Sequence, residues 1–562
     1  MKNKKIYLSF SNQIQAAAAL AINDDIVEFV QEERFNRKKM YRGFPYRSIK
    51  YLLSKYKINP KDINKIIYCY ADKIYPKNEI KKNISLRIDE GLKQQQYNKI
   101  KYNQRLNSEI KLQKKLFSNA NLFLKKFKLS KKKLICFDHH ACHAASAFYF
   151  NNFKDEITFT CDGKGNYLSS AVWLYKGKKL KMKSFSTTFD SIGYFYGNIT
   201  RVLGFTPEKH EGKVTGLAAY GKYKAIIKIF RNFFFVEEGK IKSIWSKYHI
   251  PWFAEKSDLP ELFKLKKKYS DKDLASGVQK LLEEVICKWI SENINIYKKK
   301  RVNISLAGGV FGNVKLIHEI KKLKKVDSLF IQPATGDAGL PLGGLKLLIN
   351  KKSNLANTFL GSSYSNREVV NLLKKRNKKY RYISNVEEVL IDLFKRKKVV
   401  GFFKGRMEFG YRALCNRTIL YHAKDRTVNK WLNKRLNRTE FMPFAPVTIS
   451  SLAKKCFLNW KANDKTSKFM LSVYECSNFL KKKAPAVVHV DGTARPQVID
   501  KADDPIMYQI LENYFKKTGE VVLINTSFNN HEEPIVESPL DAIKSMSIKN
   551  VDNVIFNSSI LI

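Results

Sequence analysis

Apolar residues recur along this chain in two rhythms. Ile6–Phe10, Ile304–Leu306 and Leu329–Ile331 are short apolar runs that predict buried strands, and Leu134–Phe137 predicts a short strand running into a helix. Ile304–Leu306 and Leu329–Ile331 each run into a glycine loop. Ala16–Ile22 and Ile26–Val30, separated by Asn23-Asp24-Asp25, predict a hairpin. Ile157–Cys161 and Ser170–Leu174 flank a glycine turn and predict a second. Residues 274–298 predict a helix. This alternation implies an α/β protein whose sheets are covered by helices. Residues 352–366 lose all period and gather Ser, Asn and Gly, which marks a linker between domains at 1–355 and 366–562. Val399–Phe403 and Val521–Ile524 are the clearest strands of the second α/β unit. Residues 80–130 are polar and rich in Lys and Gln, and predict exposed, inserted helices. No internal repeat is visible in the sequence.

The chain has 562 residues, enough for two to four domains. Its 44% hydrophobic and 13% aromatic content excludes a disordered polymer. No apolar run approaches the roughly 18 residues of a membrane helix. The net charge of +53 admits nucleic acid, an anionic membrane surface, or a codon-biased surface as its cause. Only 20 of the 104 basic residues are arginine, the fork that reads nucleic acid specifically. The lysines are spread evenly and accompany much Asn and Ile, all with AT-rich codons, so a solvated lysine surface is expected. Arginine is distributed differently: six of the 20 lie between Arg406 and Arg438, which suggests planar, bidentate donors for phosphate or carboxylate. Eight cysteines without a C-x-x-C pair fit a reduced, cytoplasmic protein. The start resembles a signal peptide superficially. Asn12, Gln13 and Gln15 interrupt it, so a buried first strand is expected.

Four constellations carry chemistry. The first is Asp138-His139-His140-Ala-Cys-His143. Asp138 suits a helix N-cap, and the i, i+4 spacing of His139 and His143 puts both imidazoles on one face, as two ligands of one metal require. The plainer alternative is ordinary histidines at a helix start. Further ligands would be carboxylates at strand ends, and Asp162 (in Asp162-Gly-Lys164-Gly) and Asp337 (in Gly336-Asp337-Ala-Gly339) qualify. The second pair of glycines, Gly308-Gly309-Val310, leads to Asn313 and can admit a base, ribose or phosphate. The fourth is the arginine segment Gly405–Arg417, with Arg435, Arg438, Asp491–Gln497 and Asn525–Asn529. Its alternatives are anion binding and loop salt bridges.

These residues resemble, end to end, an O-carbamoyltransferase of the nodulation-protein-U and cephalosporin-carbamoyltransferase family. The carriers are Gln31–Lys38, His139–His143, Glu211–Leu217, Gly308–Val310, Gly336–Gly339, Gly405–Gly410, Arg412-Ala-Leu, Pro443–Pro446, Asp491–Arg495 and Asn525–Asn529. The resemblance implies an actin-like (ASKHA) N-terminal domain, similar to the tRNA threonylcarbamoyl-adenosine protein. It implies a C-terminal α/β domain similar to the carbamoyl-adenylate-forming YrdC-like partner. Carbamoyl phosphate and ATP would give carbamoyl-adenylate, and the carbamoyl group would pass to a hydroxyl of a small molecule or sugar. Metal ligands then fall on His139, His143, Asp162 and Asp337. Nucleotide would lie by Gly308, Gly309, Val310, Asn313 and Gly336. Carbamoyl phosphate would meet Arg412, Arg438, Arg495, Thr526 and Ser527, with Lys164, Arg412 and Arg495 in catalytic roles. The implied metal is iron, while a His2Asp2 set suits manganese or zinc as well, and magnesium is open. A homodimer is compatible, and nucleic acid is not an expected partner.

The chain departs from that family at Ile14-Gln15 and Met40, where the acceptor side usually carries His-Asp and His. It also departs at Met442 and His531 near the anion loops. Two other classes therefore stay open: a tRNA-modification-related nucleic-acid-binding protein, and a non-catalytic carbamoyl-adenylate binder.

Overall fold

A computed structural model describes residues 4–70, 123–244, 259–439 and 441–562, with scattered helical positions between 107 and 121. The helices expected over 80–130 lie mostly outside the described residues. The chain divides into two units, Met1–Val27 with Arg42–Asn354 and Glu28–Tyr41 with Leu355–Ile562.

Residues of the first unit build most of two five-stranded sheets. One comprises β1 (Ile6–Ser11), β2 (Ala17–Ile22), β3 (Asp25–Gln31), β4 (Lys65–Tyr68) and β5 (Leu134–Cys136), in the order β3-β2-β1-β4-β5. The other comprises β6 (Glu156–Gly165), β7 (Leu168–Lys176) and β8 (Lys179–Thr187). After a small hairpin, β9 (Phe234–Glu237) and β10 (Lys240–Ser243), it is completed by β11 (Val302–Ala307) and β12 (Val326–Ile331), in the order β12-β11-β6-β7-β8. In both, a three-strand meander is extended from its first strand by two parallel strands. The topology is therefore duplicated, although the sequence showed no repeat. Strands with the same place in the two sheets meet different neighbours: β2 reads AAALAI and is almost wholly buried, whereas β7 reads LSSAVWLYK and ends exposed. β8 alternates, with Lys179, Lys181 and Lys183 exposed, as a protected sheet edge does.

One predicted turn is corrected. β6 continues through Asp162 to Gly165 across a register shift after Cys161, and the turn itself is Asn166-Tyr167, with φ of 47° and 69°. That two-residue, left-handed turn matches the strand twist. Asp162 thus sits in an irregular strand, and Gly163 to Gly165 supply the bulge.

The last residues of the first unit are clamped by a buried polar network. Lys352 Nζ lies 2.6 Å from Glu156 Oε1 and 2.6 Å from the Phe153 carbonyl, and 3.9 Å over the Phe148 ring. Asn151 and Ser305 serve the other carboxylate oxygen. Burial still pushes the Glu156 carboxyl up. Lys352→Met strands this carboxylate and is expected to destabilise the unit by about 2–3 kcal/mol, read as a lower urea midpoint. Adding Glu156→Gln should recover part of that loss.

In the second unit β13 (Arg381–Tyr382), β14 (Val400–Phe403), β15 (Arg417–His422) and β16 (Ala445–Ile449) precede a small pair, β17 (Tyr474–Glu475) and β18 (Thr493–Ala494). β19 (Gln497–Ile499), β20 (Leu523–Ser527), β21 (Asn553–Phe556) and β22 (Ile560–Leu561) follow. The main sheet runs β13-β22-β21-β14-β15-β20-β16-β19. The strand expected over Val521–Ile524 runs instead from Leu523 to Ser527, so Asn525 to Ser527 belong to β20, antiparallel to both neighbours. Residues 28–41 group here because their polar atoms are used here. Phe29 N–H donates to Leu360 O at 3.0 Å, and Gln31 Oε1 accepts from Gly410 N–H at 3.1 Å. Arg34 donates to Gly410 O, and Arg37 to the carbonyls of Pro534 and Ile535.

Candidate functional site

The strongest cluster forms where the two sheets of the first unit hand over. β5 runs into the helix His139–Phe148, whose N-cap is Asp138, accepting from Ala141 N–H at 2.9 Å. His139 and His143 project from one face, with ring centroids 4.7 Å apart. β6 brings Asp162, and the turn after β12 brings Asp337. One ligand atom from each of the four lies within 4.8 Å of all the others. His143 Nε2 stands 3.1 Å from Asp162 Oδ2 and 3.6 Å from Asp337 Oδ1, and His139 Nε2 is 3.6 Å from both carboxylates.

Two observations test the fit to a metal. Ligands about 2.1 Å from an ion in a tetrahedral or octahedral shell stand roughly 3.0–3.4 Å apart, close to these separations. Moreover, both ring nitrogens of His139 and Nδ1 of His143 are buried without a hydrogen-bond partner among the described residues. A buried imidazole left so is costly, and coordination removes part of that cost. The residues fit a divalent ion. Electrostatics agree. Burial alone would depress His143, yet Asp162 and Asp337 outweigh it and push its pKa up to about 9. Burial alone would raise Asp162, yet the two histidines hold its carboxyl well below the usual range. His140 is excluded as a ligand. Its nitrogens meet Thr160 Oγ1 at 3.0 Å and Leu168 O at 3.1 Å, and burial pushes its pKa down to about 3.

Two glycines make the cluster possible. A Cβ at Gly165 would stand 2.0 Å from His139 Cδ2, so β6 reaches the imidazole only because that position is bare. Gly308 has φ of 104°, and a Cβ there would stand 2.2 Å from the Cys161 carbonyl oxygen. Gly308 N–H donates to Thr335 O at 2.7 Å, which brings the loop Gly308–Gly312 beside Gly336-Asp337. Asn313 caps the helix Val314–Lys321 and gives its Nδ2 to Gln279 Oε1 at 2.8 Å, so both ends of its amide already have protein partners. Lys164 is half-buried on β6, two residues from Asp162.

Several contributors were not apparent in the sequence. Asn166 Oδ1 accepts from His139 N–H at 2.9 Å. The Thr335 hydroxyl is buried beside the glycine loops with no hydrogen-bond partner among the described residues. Glu208 sits at φ of 68° and takes Arg42 at 3.0 and 2.9 Å; its carboxyl is raised by burial first, with the charges of Asp337 and Asp162 adding to that. No spacing rule marks any of them. The family-departing Gln15 is buried at φ of 60°, in the turn between β1 and β2.

Near Glu208, burial pushes Glu211 up to about 7. Its folded pKa exceeds the unfolded value, so the stability it contributes is complete at acid pH and lost as pH rises from about 4.5 through 7. Glu211→Gln should therefore raise stability at pH 8.5 by on the order of 3 kcal/mol, read as a higher melting temperature, and leave it unchanged at pH 4.5.

In the second unit the arginine cluster resolves into different tasks. Arg417 is fully buried, with its guanidinium 3.6 Å over the Phe403 ring, and donates to the carbonyls of Lys404, Asn416, Ser362 and Gly405. Arg435 forks onto Asp552 at 2.9 and 3.0 Å, and Arg406 reaches Glu28. Those three serve the fold, so clustering alone overstated the anion site. Arg438 binds Thr526 Oγ1 at 2.7 Å, Ser527 O at 2.7 Å and Asn529, and so joins three of the expected anion-binding residues. Arg412 and Arg495 are half-buried on the neighbouring loops. No disulfide joins any of the eight cysteines, and no helix among the described residues is long and apolar enough to cross a membrane.

Comparison with known proteins is consistent across the chain. Residues 11–344 match the family described as Carbamoyltransferase N-terminus, and residues 391–562 the one described as Carbamoyltransferase C-terminus. The uncharacterized protein MJ1051 of Methanocaldococcus jannaschii is 30% identical over 567 residues, covering 97% of each chain. The uncharacterized protein MJ1058 of that organism is 32% identical over 455 residues, 76% of this chain and 73% of that one. Nodulation protein NolNO of Sinorhizobium fredii is 27% identical over 562 residues, 97% of this chain and 78% of that one.

Proposed function

The chain belongs to the carbamoyltransferase family, and from that premise we propose that it activates the carbamoyl group of carbamoyl phosphate with ATP and transfers it to a hydroxyl. The observation that carries the reading is the buried His139–His143–Asp162–Asp337 cluster beside two hydrogen-bonded glycine loops, in a chain matching both family parts. The duplicated sheet topology supports an actin-like first unit. The Arg438-bound loop supports a second unit that forms carbamoyl-adenylate.

The balance of atoms sets the steps. Carbamoyl phosphate gives carbamate and inorganic phosphate with water. A carbamate oxygen attacks the α-phosphorus of ATP, and pyrophosphate leaves. The acceptor hydroxyl then attacks the carbamoyl carbon, its proton is lost, and AMP leaves. Arg412, Arg438, Arg495, Thr526 and Ser527 would hold the small dianion, because forked donors match its oxygens. Gly308, Gly309 and Val310 would let a nucleotide approach the backbone, with Asn313 fixing that loop and Gly336 shaping its neighbour. Lys164 would offset charge on phosphate oxygens. A divalent ion held by His139, His143, Asp162 and Asp337 would supply Lewis-acid polarisation and charge neutralisation. The acceptor is a hydroxyl-bearing small molecule or sugar.

The test uses the purified full chain with ATP, with and without carbamoyl phosphate, and separation of the nucleotides. AMP and pyrophosphate should form only when both substrates are present. ADP would replace adenylation with a kinase-like step, and no turnover would favour the non-catalytic binder.

A further inference from the structure

Four segments of the second unit carry the expected anion-binding residues, and those of Arg412, Arg495 and Thr526-Ser527 meet on one buried amide. Asn525, 1% exposed on β20, immediately precedes Thr526-Ser527. Its Nδ2 donates to the Ala413 carbonyl at 3.2 Å, one residue after Arg412, and to Gln497 Oε1 at 2.6 Å, two residues after Arg495. Its Oδ1 is met by the Thr418 hydroxyl, and the Ala413 carbonyl, which can only accept, fixes Nδ2 as the end that faces it. Gln497 Oε1 also accepts from the Cys415 thiol at 3.2 Å. Burial pushes that thiol well up, so it stays a protonated donor.

Cys415 is itself unusual. It is fully buried with φ of 76°, a left-handed conformation that a side chain other than glycine or asparagine seldom adopts. The turn persists because Glu408 Oε1 accepts from Leu414 N–H at 2.7 Å and Arg417 N–H at 3.1 Å. Backbone strain kept in place by surrounding hydrogen bonds is the pattern of a preorganised site.

Granted the proposed function, in which this unit binds carbamoyl phosphate, we infer that Asn525, Gln497 and Cys415 form a positioning hub. It holds the backbones that carry Arg412, Arg495 and Ser527 in register for one small dianion. None of the three needs to touch the substrate. Without the hub each arginine keeps its charge but loses its aim, and misplacement of about 1 Å costs binding groups on the order of 100-fold.

The test measures carbamoyl-phosphate-dependent pyrophosphate release by the full chain. Asn525→Asp keeps shape but puts a carboxylate oxygen against Gln497 Oε1 and the Ala413 carbonyl. It should raise the KM for carbamoyl phosphate about 30-fold or more and leave the KM for ATP within about twofold. Cys415→Ser keeps a donor and should stay within about threefold of wild type, whereas Cys415→Ala should fall between the two. If Asn525→Asp does not fold, Gln497→Met gives the same reading by removing the shared acceptor. A merely structural role would lower the melting temperature and the active fraction without separating the two KM values, and that result overturns the hub. Wild-type kinetics in Asn525→Asp also overturn it. A wild-type protein with no carbamoyl-phosphate-dependent release overturns the proposed function first, before any variant is compared, and the hub with it.

Discussion

The His143→Ala protein is expected to purify without the metal that the wild type retains, and to lose about a thousandfold of its carbamoyl-dependent turnover. His143 Nε2 makes the shortest separation in the cluster, 3.1 Å to Asp162, and its ring is completely buried. Removing it deletes one of the four proposed ligands and leaves Asp162 and Asp337 with a single imidazole. Losing only an outer-shell partner of a metal ligand costs 10–100-fold in affinity, so loss of a ligand itself should exceed about 100-fold. Several kcal/mol of transition-state charge stabilisation go with the ion, which at about 1.4 kcal/mol per tenfold gives the thousandfold figure. His140→Gln is the control. His140 is as buried and on the same helix, but its nitrogens are spent on Thr160 and Leu168. That variant should keep its metal and lose only stability. Equal metal content in wild type and His143→Ala, measured by elemental analysis, would sink the cluster as a metal centre.

Arg412→Lys should raise the KM for carbamoyl phosphate roughly 30–100-fold, although the charge is conserved. A guanidinium offers two parallel donors to two phosphate oxygens, whereas an ammonium offers a single point charge on a flexible stem. One charge-assisted hydrogen bond lost is worth roughly 1.5–3 kcal/mol. Arg417→Lys separates this effect from a general need for arginine. Arg417 donates to four backbone carbonyls under the Phe403 ring, so its loss should appear as unfolding rather than as a KM change. Unaltered carbamoyl-phosphate kinetics in Arg412→Lys would place the dianion elsewhere.

Local patterns in the sequence determined a good deal. The i, i+4 histidines, the Asp138 cap and the two glycine-flanked aspartates are short-range features, and their geometry follows from helix pitch and turn chemistry. The strands β1, β11 and the end of β12 were legible for a similar reason, since buried strands read as continuous apolar runs, and half-buried β5 keeps the same apolar run. The mixed α/β class followed from their alternation with helices.

Tertiary structure alone decided the rest, because it depends on partners distant in the chain. Asp162 and Asp337 are 175 residues apart, and their approach to one pair of imidazoles depends on β6 and β12 flanking β11 in one sheet and on bare Cα positions such as Gly165. The duplicated sheet topology was invisible because hydrogen-bond order constrains the backbone, not side-chain identity. The arginine cluster misled for the same physical reason. A guanidinium that satisfies buried carbonyls, as Arg417 does, and one that awaits an anion are the same residue type in sequence. Only burial and partners tell them apart. Likewise nothing local marks Asn525 as the meeting point of Ala413 and Gln497; antiparallel pairing of β20 between β15 and β16 puts it there.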